Sequence, residues 1–117
     1  MCVVKDIGEL FLEKPDHLVL AFDTLVSAVG EWQPQSYGAS VNTIVFTNKR
    51  AWLIVRPMKQ ELDLKFYSKE ILESDLIKKT QNYRDIIAYH IRIKEEDEVT
   101  SQLIGLLRKG FDYALQN

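Results

Sequence analysis

A single cysteine, Cys2, stands among the 117 residues, and one thiol can form neither an intrachain disulfide framework nor a multi-cysteine zinc site. Histidine is nearly as scarce. His17 and His90 are the only two, and they fall on different predicted elements without the ligand spacing of metal sites. No metal and no cofactor is therefore expected. Gly8, Gly30, Gly38, Gly105 and Gly110 are scattered, so no GxGxxG turn or P-loop is present to cradle phosphate, and no GxSxG elbow surrounds a serine. The longest apolar runs, such as Ala51-Trp52-Leu53-Ile54-Val55, are strand-sized and fall well short of the roughly 18 residues a transmembrane helix needs. Met1-Cys2-Val3-Val4-Lys5-Asp6 lacks the basic-then-apolar order of a signal peptide. The expectation is a cytoplasmic protein with no membrane partner. Excess charge is missing too: 15 Lys+Arg against 17 Asp+Glu give a formal net charge of −2. That balance removes the simplest signature of nucleic-acid binding, so nucleic acid is not an expected partner.

What remains is the composition of an ordinary globular protein, 46% hydrophobic and 27% charged, in one domain over residues 1–117. After Lys14-Pro15, the residues Leu18, Val19, Phe22, Leu25, Val26 and Val29 share one stripe of a 3.6-residue helix. Pro15 and Asp16 suit its start, and Gly30 suits a C′ stop. A short helical turn over residues 6–13 is expected to bring Leu10 and Phe11 to the core. Residues 41–47, 50–56 and 62–67 are rich in β-branched and aromatic side chains and predict three strands, with Asn48-Lys49 as a tight hairpin. Residues 68–85 are polar and, around Leu72, Leu76 and Ile77, predict a turn or two of helix. Residues 86–93 predict a fourth strand, and residues 96–115 a final helix with Val99, Leu103, Leu106, Leu107, Phe111 and Ala114 inward. The acids Glu95-Glu96-Asp97-Glu98 at its start fit dipole and capping chemistry rather than a metal site. The fold class is α+β: a two-layer domain with an antiparallel sheet of about four strands and both long helices on one face.

Period-two alternation sets the sheet's two sides. Leu62, Leu64, Phe66, Ile87, Tyr89, Ile91 and Ile93 are expected toward the helices. Residues 50–56 are partly apolar on both alternations, Ala51, Leu53 and Val55 or Arg50, Trp52, Ile54 and Arg56, and the charged ends of the second favour it as outward. The outward set is then Arg50, Trp52, Ile54, Arg56, Asp63, Lys65, Tyr67, Ala88, His90 and Arg92. It holds four cations against one acid, with two large aromatics. Of these, Arg50, Trp52, Arg56, Lys65, Tyr67, His90 and Arg92 are the candidate ligand or partner residues. Arg pairs with carboxylate or phosphate, and Trp, Tyr and Arg are enriched at interfaces. The plain alternative is a solvated sheet surface. The expected function is a non-catalytic module binding a small ligand or a protein through this face. A homodimer using the same face is one alternative; an enzyme with a site assembled from Asp63, Tyr67 and His90 is another. No catalytic motif is present, and Cys2 lies at a terminus without a fixed base.

The run Phe11-Leu12-Glu13-Lys14-Pro15, with Phe22-Asp23, Leu25 and Val29-Gly30 after it, resembles the opening of a family of small bacterial α+β domains of unknown function. Arg50-Ala51-Trp52-Leu53-Ile54-Val55-Arg56-Pro57-Met58-Lys59, with Leu62-Asp63-Leu64, is similar to its second and third strands. Ile91-Arg92-Ile93, then Asp97-Glu98-Val99, Leu103, Leu107 and Phe111, resembles its last strand and helix. The likeness runs from about residue 11 to 115 and rests mostly on packing positions. It implies a family in which some members are labelled "predicted transport protein" and no catalytic residues are established, so none is carried over. The chain departs from the pattern at Val41-Asn42, where the family has a lysine, and at His90, where its histidine falls one residue earlier.

Overall fold

The structure is a computed structural model and describes residues 10–12, 14–33, 35–40 and 42–115. Helix α1 (Asp16–Val29) buries Leu18, Phe22, Leu25 and Val29 of the expected stripe together with Ala21, while Val19 and Val26 at its flank are half-buried. Pro15 precedes it in an extended conformation. Gly30 ends it with right-handed dihedrals, φ −66° and ψ −19°, rather than the left-handed pair of a C′ glycine. A Cβ at Gly30 would stand 2.5 Å from the Val26 carbonyl oxygen, so close approach is what requires glycine. Leu10 and Phe11 do reach the core, with Phe11 5.2 Å from the ring of Phe22. The rest of the 6–13 turn, Cys2 and Val41 lie outside the described residues.

Six strands follow: β1 (Ser36–Ala39), β2 (Ile44–Thr47), β3 (Ala51–Pro57), β4 (Leu62–Ser68), β5 (Ile77–Asn82) and β6 (Ile87–Ile93). They form one antiparallel sheet in the order β1-β2-β3-β4-β6-β5. Two of them correct the four-strand expectation. β1 has no β-branched residue, and β5, Ile77-Lys78-Lys79-Thr80-Gln81-Asn82, is nearly all polar. Each is an edge strand held chiefly by its ladder to one neighbour, which local apolar periodicity does not report. The helical turns expected over residues 68–85 are therefore replaced by a loop and a strand.

The acids before the last helix form a separate 3₁₀ turn, Glu96–Glu98. Oε1 of Glu98 accepts from the backbone N–H groups of Lys94 and Glu95, a capping box that closes the turn. Helix α2 (Ser101–Leu115) then starts from Thr100, whose Oγ1 accepts the Leu103 N–H. It buries Leu103, Leu106, Leu107, Gly110, Phe111 and Ala114, and both helices share one core with the inner sheet face. At Gly110 the helix lies close on β4: a Cβ there would be 3.0 Å from Phe66 Cδ2.

Trp52 is the main correction to the expected faces. The β2–β3 register shifts between Phe46 and Thr47, with Phe46 opposite Leu53 but Thr47 opposite Ala51. This bulge makes Trp52 the extra residue and breaks the alternation there. Trp52 and Leu53 are both buried, Trp52 to 1% exposure. Its indole meets Phe111 at 5.1 Å, Trp32 at 5.8 Å and Phe46 at 6.0 Å between ring centroids. Its Nε1–H donates to Gln35 Oε1 at 3.3 Å, so the polar edge of the ring is satisfied. Asn48 ties the same hairpin to α2 by donating from Nδ2 to the Phe111 carbonyl at 3.0 Å. We predict that Trp52→Ala lowers stability by about 3–5 kcal/mol in urea unfolding. An outward-facing Trp52 would give a loss below about 0.5 kcal/mol.

Candidate functional site

The register defines the side of the sheet on which no described helix packs. Asp63 pairs with Arg92, Lys65 with His90 and Tyr67 with Ala88 across β4 and β6. On β5, Lys79 and Gln81 pair with His90 and Ala88. On β3, Ile54 and Arg56 stand opposite Lys65 and Asp63, and farther out Val45 pairs with Ile54 and Gly38 with Val45. Directly paired residues share a face. The face therefore has two unlike halves: small or apolar side chains over β1, β2 and the Ile54 position of β3, and charged ones from Arg56 of β3 across β4, β6 and β5.

Of the seven residues expected on this face, five are on it: Arg56, Lys65, Tyr67, His90 and Arg92. Trp52 is in the core. Arg50 lies in the β2–β3 turn rather than in the strand, with its guanidinium 5.8 Å from the ring centroid of Tyr113 on α2. The structure adds Glu61, Lys79 and Gln81. Two of these come from β5 and were hidden by its reading as non-strand; their i, i+2 spacing was the available signal.

Asp63 organises the charged half. His90 Nδ1 is 3.0 Å from its Oδ2, and Arg92 Nε donates to its Oδ1 at 3.1 Å. Arg92 Nη1 reaches Glu61 Oε2 at 2.8 Å. His90 Nε2 lies 3.2 Å from Gln81 Oε1, so both ring nitrogens are engaged. The side chains of His90 and Asp63 are only 14% and 12% exposed. A carboxylate so nearly buried must keep its partners. Glu61 first and Asp63 second raise the Arg92 guanidinium above its ordinary range. Lys65 Nζ lies 5.3 Å from the Tyr67 ring centroid. Tyr67 stands two positions along β4 from Lys65, so the expected Asp63/Tyr67/His90 set is only partly assembled. A cleft of about 450 Å³ opens at the Arg92 end, lined among others by Glu61, Asp75, Lys78 and Lys94. Among the described residues no group of three or more His, Cys, Asp or Glu is placed to hold a metal, and no helix is long and apolar enough to cross a membrane.

The family described as "Domain of unknown function (DUF5655)" matches residues 7–114. The chain belongs to the DUF5655 family. No curated protein and no solved structure matches it. The likeness to a family of small domains of unknown function thus holds, and DUF5655 membership assigns no residue a role.

We predict that Asp63→Ala, which leaves Arg92 and His90 each short of a partner, lowers stability by about 1–3 kcal/mol in chemical denaturation. Removing the exposed Asp112, an i,i+4 partner of Arg108 at 3.2 Å, costs less than about 0.5 kcal/mol in the same assay.

Proposed function

We propose that this domain is a non-catalytic, cytoplasmic binding module whose uncovered sheet face takes an acidic segment of a partner protein. The observation that supports this most is the division of labour among its charges. Asp63 and Glu61 are occupied by His90 and Arg92, while Arg56, Lys65 and Lys79 make no ion pair among the described residues. The local balance is thus cationic although the whole chain is slightly acidic. These groups sit on paired strands, which hold recognition groups more firmly than loops do. A broad sheet face with its cleft at the rim suits an extended protein segment better than an enclosed small molecule.

A non-catalytic reading also fits His90. Both nitrogens of its ring are engaged within the protein, Nδ1 by Asp63 and Nε2 by Gln81. The face-to-face homodimer loses Trp52, its strongest anchor residue, to the core.

The test is an NMR titration with a hexaglutamate peptide, with hexalysine and inorganic phosphate as controls. Hexaglutamate is expected to shift amides of β3, β4 and β5, and to do so less as salt rises. The Arg56→Glu/Lys65→Glu variant should weaken the effect at least about tenfold through charge reversal. Shifts confined to the helices, or binding indifferent to the double variant, would overturn the proposal. An equal response to inorganic phosphate would replace the peptide with a small anion.

A further inference from the structure

The sheet has two edges, and they are treated very differently. On β5 the edge carries the exposed pair Lys78-Lys79, with a register irregularity between Ile77 and Lys79. Edge lysines and bulges are the usual devices that stop a strand from pairing with another chain. β1, Ser36-Tyr37-Gly38-Ala39, has neither. It also sits in an unusual stretch: from Gln33 to Asn48 there are 16 residues with no Asp, Glu, Lys or Arg, in a chain that is 27% charged. Charge is withheld from the whole first hairpin, including its open rim.

The ladder shows which backbone groups that rim offers. Ser40 N–H donates to the Thr43 carbonyl at 2.8 Å and closes the hairpin. Hydrogen-bonded pairs alternate along an antiparallel ladder, so Gly38 with Val45 and Ser36 with Thr47 are the next bonded pairs. The N–H and C=O groups of Tyr37 and Ala39 therefore point away from β2, toward the open edge. They flank Gly38 symmetrically. A strand related by a two-fold axis at Gly38 would place the partner's Ala39 opposite Tyr37 and the partner's Tyr37 opposite Ala39. Those two pairs give four backbone hydrogen bonds. Gly38 would face its own copy across the non-bonded pair, where the strands come closest. A Cβ at Gly38 would meet nothing within 4 Å, so that approach is open. Tyr37, stacked on Phe46 at 5.0 Å and still 48% exposed, would lie beside a small alanine.

We propose that β1 pairs with β1 of a second copy, antiparallel about Gly38, joining two six-stranded sheets into one continuous sheet. A four-residue strand buries less than the roughly 1,200 Å² of a stable interface. The association is therefore reversible and concentration-dependent, and it is separate from the charged face.

Sedimentation equilibrium from micromolar to about millimolar chain tests it. The weight-average mass should rise from 13.6 kDa toward twice that value. Ala39→Pro removes an outward N–H while leaving the β2 bonds intact. Because the loss occurs twice per dimer, it should weaken association at least about tenfold. Tyr37→Lys, which installs an edge lysine, should do the same, with unchanged circular dichroism showing that both variants fold. In a mixed ¹³C/¹²C sample, a Gly38-to-Gly38 Hα contact between copies is expected. A wild type still monomeric at the highest concentration overturns the proposal. So does a dimer that survives both edge variants, or one that Arg56→Glu/Lys65→Glu dissociates instead.

Discussion

Where Phe46 gives way to Thr47, two residues of β3 stand opposite one of β2, and much of the domain is arranged around that surplus residue. Turned inward by the bulge, Trp52 supplies the largest fully buried side chain in the core. It joins strand β2 through Phe46, the segment after α1 through Trp32, and α2 through Phe111. Arg108 closes the cluster from outside, its guanidinium 5.0 Å and 4.9 Å from the centroids of Trp32 and Phe111. The hairpin that carries the bulge is also bonded to α2 through Asn48. A regular ladder would send that indole to the other side of the sheet and leave α2 without its main contact at this end. Local backbone irregularity thus decides how the two layers lock together.

The uncovered face is governed by a different rule. There the constraint is that a nearly buried carboxylate must be fully partnered, and Asp63 meets it by drawing in His90 and Arg92 from the adjacent strand. Glu61 and Gln81 hold the far sides of those two groups. The result is a polar mosaic with little freedom to rearrange. Beside it, over β1 and β2, the same face is uncharged. One sheet therefore carries two surfaces of different chemistry, separated by little more than the width of a strand.

The sequence made the two helices legible because each has a sustained apolar stripe, Leu18 to Val29 and Leu103 to Ala114. β3, β4 and β6 were legible for a related reason: their β-branched and aromatic residues pack against a core. What stayed hidden depends on contacts distant in sequence. β5 is a strand because β6 offers it a ladder, and within Lys78-Lys79-Thr80-Gln81 only the i, i+2 spacing of Lys79 and Gln81 points that way. Alternation and the charged ends Arg50 and Arg56 point Trp52 outward, and the one inserted residue of the bulge inverts that parity. The Asp63–His90–Arg92 grouping was half visible, since strict alternation put all three on one face. Their partners Glu61 and Gln81 were not, because a hydrogen bond between strands leaves no trace in local spacing.

The strand order has a consequence for how such a domain can vary. β4 and β6 are direct neighbours, and residues 69–86 leave between them only to return as an outer strand. Without that excursion the sheet would be a plain meander of five strands. The excursion is pinned to the core by Leu72, Leu76 and Ile77 and by the buried Tyr89 hydroxyl, which donates to the Glu70 carbonyl at 2.7 Å and accepts the Leu72 N–H at 2.9 Å. It forms the outer margin of the sheet, with the inner strands packed beneath the helices. Because Lys79 and Gln81 ride on it, the chemistry of the uncovered face can be retuned from the rim.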